Sequence, residues 1–358
     1  MSLKFGIFDS FDLSHDSPEN VLAGRLTFAQ EAERAGFDYY HVTEHHGTPL
    51  SVCPSPNIFI AALSQTTAVM RVGALVNVLP SYEPFRLAEE IATLDQLTHG
   101  RLDFGVGAGI SPIELGIVGV HGDRDHVRAI YQETLTAVTN ALASGHMKHT
   151  GTLLRDYDAR LSILPYQKPY PQLWYASGNA SSAEWAGSNA INFVGRWENG
   201  AMPDLAETYW KAWEEHRGEQ GRLNPHVEEP RLGISGPVVI GESEAQALEM
   251  FHQAHDLHEQ RILQLWHENG DHRLDGAFKG ERLLGAGNAV VGTLDSVRDQ
   301  LVSQVETSGI NYLELKLLFG DIPVGHATRS AHAIMSRIAP AARDAARGRA
   351  GRADLKAS

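Results

Sequence analysis

Asp38-Tyr39-Tyr40-His41-Val42-Thr43-Glu44-His45-His46 is the stretch that decides the fold, and it follows a helical segment that closes at Ala35-Gly36. The apolar run predicts a short strand, and that strand finishes in a carboxylate and two imidazoles. In parallel α/β folds, ligands and chemistry collect at the carboxyl ends of the strands. Histidine is the side chain whose unperturbed pKa lies nearest neutrality. Three proton-handling groups at one strand end predict an enzyme.

Outward from this strand the chain alternates strand and helix in both directions. Strands are predicted over Lys4–Phe8, Tyr39–Thr43, Arg71–Leu79, Leu102–Val106, Leu173–Ala176, Ala190–Val194, Leu232–Ile240 and Ile310–Leu317. Helices are predicted over Pro18–Ala35, Pro56–Thr67, Pro84–Leu97, Asp123–Leu142, Ser181–Gly187, Asp204–Arg217, from Glu244 with Ser243 as N-cap, and over Ala327–Ile338. Eight such units without a composition break predict a single (β/α)8 TIM barrel in the α/β class. The length beyond that of a minimal barrel falls after strand 4 (145–171) and between strands 7 and 8 (255–308), where an extra helix starts near Thr293. Residues 1–346 are expected to form the barrel domain, and 347–358 a frayed C-terminal tail.

Composition narrows the function classes. The 358 residues are 42% hydrophobic and 21% charged, ordinary for a soluble globular protein. The formal net charge of −14 argues against nucleic acid, which needs a basic surface. No apolar run is long enough for a membrane span, and the N-terminus enters a strand without a signal-peptide layout. Cys53 is the single cysteine, so no intrachain disulfide forms and a reducing cytoplasm is expected.

Each candidate motif has a functional and a plainer reading. Glu44-His45-His46 reads as a catalytic acid or base, a structural cluster, or a metal site. Adjacent histidines on an extended segment face opposite ways, which disfavours one shared metal. Gly105-Val106-Gly107-Ala108-Gly109 lacks the third glycine of a dinucleotide fingerprint, since Ile110 stands there and Pro112 follows. Glycine at that strand end allows close approach of a flat ligand. Ser177-Gly178-Asn179-Ala180-Ser181-Ser182 reads either as a phosphate site at a helix N-terminus or as N-capping by Ser181 or Ser182. Asn77 is a satisfied buried amide, or an amide reaching the edge of a planar ring. His252, His255 and His258 have metal-like spacing, but a solvated helix face is the better reading.

Together the segments resemble the bacterial luciferase-like family of flavin-dependent monooxygenases. The resemblance rests on Glu44-His45-His46, Val78-Leu79-Pro80, Pro84-Phe85-Arg86-Leu87-Ala88-Glu89-Glu90 and Leu94-Asp95-Gln96-Leu97. Gly100-Arg101-Leu102-Asp103-Phe104-Gly105-Val106-Gly107, Ser182-Ala183-Glu184-Trp185-Ala186 and Val291-Gly292-Thr293 continue it in order. The run from Leu79 to Gly107 is the most specific part.

The resemblance implies a barrel that takes reduced FMN as co-substrate and forms a flavin hydroperoxide with O2, which oxygenates a small organic substrate. His45 matches the catalytic histidine, and Glu44 is expected to orient its ring or raise its pKa. Leu75 and Val76 match the pair under the isoalloxazine ring, often joined by a cis peptide, with Asn77 and Gly107 beside them. Ser177, Gly178, Ser181 and Ser182 match the phosphate side. Luciferases proper carry an arginine where this chain has Ala108 and a cysteine where it has Gly107. Tight FMN retention and light emission are therefore not carried over, and the phosphate falls to backbone N–H groups, serines or an arginine from elsewhere. Lids are expected from 107–122 and 255–290. Without a dinucleotide fingerprint, reduced flavin is expected from a separate flavin reductase. The family also implies a homodimer. Alternatives are a deazaflavin-dependent dehydrogenase on the same barrel, a non-catalytic flavin-binding protein, whose known forms are shortened barrels, and a metallohydrolase.

Overall fold

Eight parallel strands close into a barrel in the computed structural model, which describes residues 2–195 and 202–357, with side chains to residue 349. The strands are β1 (Lys4–Asp9), β2 (Tyr39–Val42), β3 (Arg71–Val78), β4 (Leu102–Gly107), β5 (His146–His149), β6 (Tyr157–Arg160), β7 (Leu173–Ala176), β8 (Asn192–Gly195), β9 (Leu232–Gly241), β10 (Val290–Thr293) and β11 (Tyr312–Lys316). The barrel order is β9-β11-β1-β2-β3-β4-β7-β8, closed by pairing of β8 with β9. β5 and β6 form a separate antiparallel hairpin, and β10 extends the far end of β9.

The helices are α1 (Pro18–Ala35), α2 (Pro56–Ser64), α3 (Pro84–Leu97), α4 (Pro112–Ile117), α5 (Arg124–Ser144), α6 (Ala180–Ser188), α7 (Met202–Glu215), α8 (Glu244–Glu268), α9 (Gly280–Gly285), α10 (Leu294–Ser308), α11 (Val324–Ala333) and α12 (Ala339–Ala357). Their starts follow local chemistry: Ser17, Asp123, Ser243 and Thr293 each accept a first-turn N–H, and proline opens α1, α2 and α3. The insertions fall where the sequence places them, but two helices exchange roles. α10, expected as an extra helix, packs against α7 and α12 and leads straight into β11, so it is the seventh helix of the outer ring. α8, which follows strand seven directly, is the added element. Both helices are capped and amphipathic, so sequence alone could not rank them. α12 carries helical backbone past Arg347, in an alanine-rich stretch that favours helix. Arg349 anchors it by donating to the carbonyls of Val305 and Ile310.

Alternation along the strands fills the barrel axis. Tyr39, Trp174 and Tyr312 meet edge to face at 5.2 Å between each pair of ring centroids, and His41 lies 4.5 Å from Trp174. Above this plug Leu75, Val76, Phe8 and Val194 form an apolar layer.

Between β3 and β4 the register slips across Ala74 to Asn77, and the Leu75–Val76 peptide is cis. The glycines of β4 answer this bulge. A Cβ at Gly105 would lie 2.0 Å from the Ala74 carbonyl oxygen, and one at Gly107 would lie 2.3 Å from Val76 Cγ2. The close approach expected of a ligand is thus made first by the neighbouring strand. Gly105→Ala is expected to lower the unfolding free energy by about 1–3 kcal/mol through overpacking. A urea midpoint equal to that of the parent protein would contradict this.

Candidate active site

Glu44-His45-His46 lies just beyond β2, which ends at Val42, and its three side chains part company. Glu44 is buried and turns toward β3. Its Oε2 accepts from Tyr82 Oη at 2.6 Å and the Val78 N–H at 3.2 Å, and its Oε1 from Ser81 Oγ at 3.1 Å. His46 Nε2 donates to the same Oε1 at 3.0 Å. That bond raises the His46 pKa against the effect of burial. Burial, then the Glu44 charge, pushes the Tyr82 hydroxyl well above its ordinary range. Glu44 therefore ties the β2 end to the turn after β3, and it does not orient His45 as expected.

The carboxylate that serves His45 is Glu114. His45 Nδ1 lies 3.2 Å from Glu114 Oε2, and the His46 backbone N–H donates to that oxygen at 2.8 Å. Both side chains of the His45–Glu114 pair are half-buried. Glu114 sits in α4, whose N-cap Ser111 accepts the Glu114 N–H at 3.2 Å. Ser111-Pro112-Ile113-Glu114 has the spacing of a capping box, in which the glutamate ordinarily returns to the cap N–H. Here the carboxylate is spent on the β2 end instead. The sequence reading missed Glu114; the Ser-x-x-Glu spacing in a loop after strand 4 was the available signal. The two imidazoles engage different carboxylates, as opposed faces of an extended segment require.

Asn77 is the satisfied amide of the plainer reading. Its Nδ2 donates to Asn57 Oδ1 at 3.0 Å and Tyr82 Oη at 3.2 Å. At the end of β7, Ser177 is half-buried, while Gly178 and Ser181 are exposed. The cap of α6 is Asn179, in place of Ser181 or Ser182: its Oδ1 accepts the Ser182 N–H at 2.8 Å and Ser181 Oγ at 2.9 Å. Helix geometry leaves the N–H groups of Ala180 and Ser181 without intrahelical acceptors. A Cβ at Gly178 would meet nothing within 4 Å among the described residues.

α8 crosses the carboxyl ends of β11, β1 and β2. Arg261 Nε donates to the Leu13 carbonyl at 3.0 Å, Thr48 Oγ1 to the Arg261 carbonyl at 3.4 Å, and Phe251 packs on Phe319. Its inner stripe contains His255 and His258, which are buried, contrary to the solvated face expected for this triplet. Their rings pack as aromatics: His255 stacks on Phe251 at 5.1 Å, and His258 meets Phe319 at 6.0 Å. Reading histidine as polar hid this.

The sequence model described as "Luciferase-like monooxygenase" matches residues 3–312. The protein y4wF of Sinorhizobium fredii is 32% identical over 348 residues, covering 94% of this chain and 96% of its own. The monooxygenase RslO1 from Streptomyces bottropensis superposes with a TM-score of 0.80 at 22% identity, covering 94% of this chain and 99% of that one. The oxygenating constituent of 3,6-diketocamphane monooxygenase from Pseudomonas putida, solved in complex with FMN, gives a TM-score of 0.77 at 19% identity, with coverage of 95% and 98%. At these identities the two structures establish the likeness of fold.

Proposed function

The chain belongs to the luciferase-like monooxygenase family, and on that premise we propose that it is the oxygenase of a two-component system, using reduced FMN and O2 to oxygenate a small organic molecule. One observation carries this reading: the His45–Glu114 pair stands at the end of β2, beside the apolar layer made by Leu75 and Val76 on the adjoining strand. When bound, reduced FMN supplies the electrons that activate O2 for transfer of one oxygen atom.

The residues present fit that cofactor. Leu75 and Val76 offer a flat apolar floor at the mouth, with Gly107 drawn tight against Val76. The turn Ser177–Ser182 supplies hydroxyls and helix-terminal N–H groups for a phosphate, in place of the arginine absent at Ala108. The side-chain nitrogen of Asn77 faces Asn57 and Tyr82, so its contact with the ring falls to the main chain. With Nδ1–H of His45 donated to Glu114, Nε2 is the basic nitrogen that takes up and returns a proton at the reacting oxygen. α8 packs over the ends of β11, β1 and β2 and α4 against the end of β2, where both would help keep bulk water from the mouth.

The reductase is a separate protein in this reading, because the glycines from Gly105 to Gly109 are used against β3 and α4, and the six-residue α4 offers no dinucleotide helix. A homodimer would cover exposed apolar side chains such as Leu97 and Leu164. Among the described residues no helix is long and apolar enough to cross a membrane. A reducing cytoplasm suits the buried lone thiol of Cys53, whose pKa burial pushes up to about 12.

Stopped-flow mixing of the protein and reduced FMN with O2 tests the proposal. A transient spectrum distinct from both reduced and oxidised FMN is expected, and none with a reduced deazaflavin. Direct appearance of oxidised FMN at the rate of the free cofactor would refute it.

A further inference from the structure

The far end of α8 and the segment that leaves it carry a cluster of side chains that the oxygenase chemistry does not use. The last turn of the helix holds His267, and the chain then reverses in a Schellman turn. The Gly270 N–H donates to the His267 carbonyl and the Asp271 N–H to the Trp266 carbonyl, each at 2.9 Å. Gly270 takes a φ of +70°, as the residue after such a helix end does. The reversal lays the following residues back along the end of α8, and Arg273 holds them there. Its guanidinium lies 5.4 Å from the centroid of the Trp266 ring, and its Nε donates to Asp271 Oδ2 at 2.8 Å. The Asp275 N–H then closes a turn on the His272 carbonyl at 3.1 Å.

These backbone and arginine contacts bring three ligand-bearing side chains together at the surface. His267 Nε2 lies 2.6 Å from Asp275 Oδ1, and His272 Nδ1 lies 3.2 Å from Asp275 Oδ2. The two imidazole rings stack with their centroids 4.7 Å apart. One ligand atom from each residue lies within 4.8 Å of the other two, and all three residues are exposed. Among the described residues no other three such side chains converge in this way. His255 and His258, which have metal-like spacing in the sequence, are spent on the Phe278 carbonyl and on Asp12 instead. Two imidazoles and one carboxylate are donors for zinc and its neighbours, with bonds of about 2.0–2.2 Å. Such an ion sets adjacent ligand atoms roughly 3 Å apart and the centroids of two bound imidazoles roughly 4.5–5 Å apart. The spacings here are of that size, so rotation of the side chains suffices to exchange hydrogen bonds for metal bonds. Calcium and magnesium, which take oxygen ligands, are poorly matched.

We propose that His267, His272 and Asp275 bind one divalent transition-metal ion of the zinc class, with water completing its outer side. The ion joins the last turn of α8 to the segment that leaves it. The same segment is tied to α8 further along, where His255 Nε2 donates to the Phe278 carbonyl at 2.6 Å. Metal at one end and His255 at the other thus fix the first part of the insertion expected as a lid. The site is separate from His45: His267 stands nearly two turns, about 9 Å of helix, beyond Arg261, the α8 residue bonded to Leu13. The proposal therefore does not rest on the oxygenase reading.

The test is equilibrium dialysis of the untagged, full-length protein against a small excess of Zn2+ in the presence of Mg2+. One Zn2+ per chain is expected to bind. His272→Gln and Asp275→Asn should each weaken that binding roughly tenfold or more, since loss of an outer-shell partner alone typically costs about that much. Both residues are exposed, so the fold is not at stake in either variant. His216→Gln, at an exposed histidine–glutamate pair elsewhere, should leave the binding unchanged. During zinc addition the ring resonances of two histidines should shift together, one of them missing from His267→Gln and the other from His272→Gln. Failure to bind one Zn2+ per chain would overturn the proposal, and so would binding that survives His272→Gln and Asp275→Asn. Equal weakening in His216→Gln, or zinc-induced shifts confined to other histidines, would overturn it as well by placing the ion elsewhere.

Discussion

Alanine in place of His45 is expected to slow the productive reaction with O2 by roughly 10²–10⁴-fold, the usual worth of a positioned general acid–base group. In stopped flow this reads as loss of the transient, with reduced FMN bound as tightly as before. The expectation follows from geometry: Glu114 fixes Nδ1 from 3.2 Å and leaves Nε2 as the proton acceptor. Glu114→Gln keeps the shape but removes the charge behind the ring, so a smaller loss of the same kind is expected. Glu44→Gln should act differently, lowering thermal stability more than the transient, because Glu44 gathers Tyr82, Ser81, His46 and the Val78 N–H. An unchanged transient in His45→Ala would remove His45 from the chemistry, and the reverse order of effects for Glu44 and Glu114 would undo their assignment.

The contrast between those two glutamates shows what a sequence can and cannot carry. Glu44 is adjacent to His45 in the chain, so proximity suggested a partnership. A backbone leaving a strand turns neighbouring side chains apart, and Glu44 went to β3. Glu114 is 69 residues away and reaches His45 only because a six-residue helix packs against the β2 end. That packing is tight enough for a Cβ at Gly47 to lie 2.5 Å from Ile117 Cδ1. The Ser243 cap and the proline-opened starts of α1, α2 and α3 were legible because they follow local rules. The barrel was legible because eight strand–helix units leave little else to build. Side-chain pairing across loops depends on how the insertions settle, and no periodicity encodes that. The same limit explains α8. Its stripe of Ala247, Phe251, Ala254, His255 and His258 is a buried face once imidazole is allowed to pack as an aromatic ring, as it does on Phe251 and Phe319.

Raising the pH from about 6.5 to about 9 is expected to cost the folded protein stability on the order of 3 kcal/mol through His41 alone. This ring belongs to the run that decided the fold, where it read as one more residue of an apolar strand. It is fully buried, with Nδ1 at 2.7 Å from Glu314 Oε1 and Nε2 at 3.2 Å from Asp103 Oδ2. Two carboxylate partners require a hydrogen on both ring nitrogens, which is the imidazolium. Burial alone lowers the pKa, but the bonds to Asp103 and Glu314 outweigh it and hold it up to about 9. Arg71 also pairs with Asp103, at 2.7 Å, so two cations offset two carboxylates along the axis. Because the folded pKa lies above the unfolded one, the stabilisation is fully present below about 6.5. It is lost as the pH climbs through about 9, and urea midpoints measured across that window should fall. Imidazole resonances give a second reading that does not depend on a variant folding: one ring should stay protonated well above neutrality. A midpoint that is flat or rises over the window, or a set of histidines that all titrate near 6.5 or below, would contradict the assignment. His41 also lies 4.5 Å from Trp174, directly beneath the layer that carries Leu75 and Val76. Loss of its proton should therefore change tryptophan fluorescence in the same pH range, before the protein unfolds, and so report on the floor of the site itself.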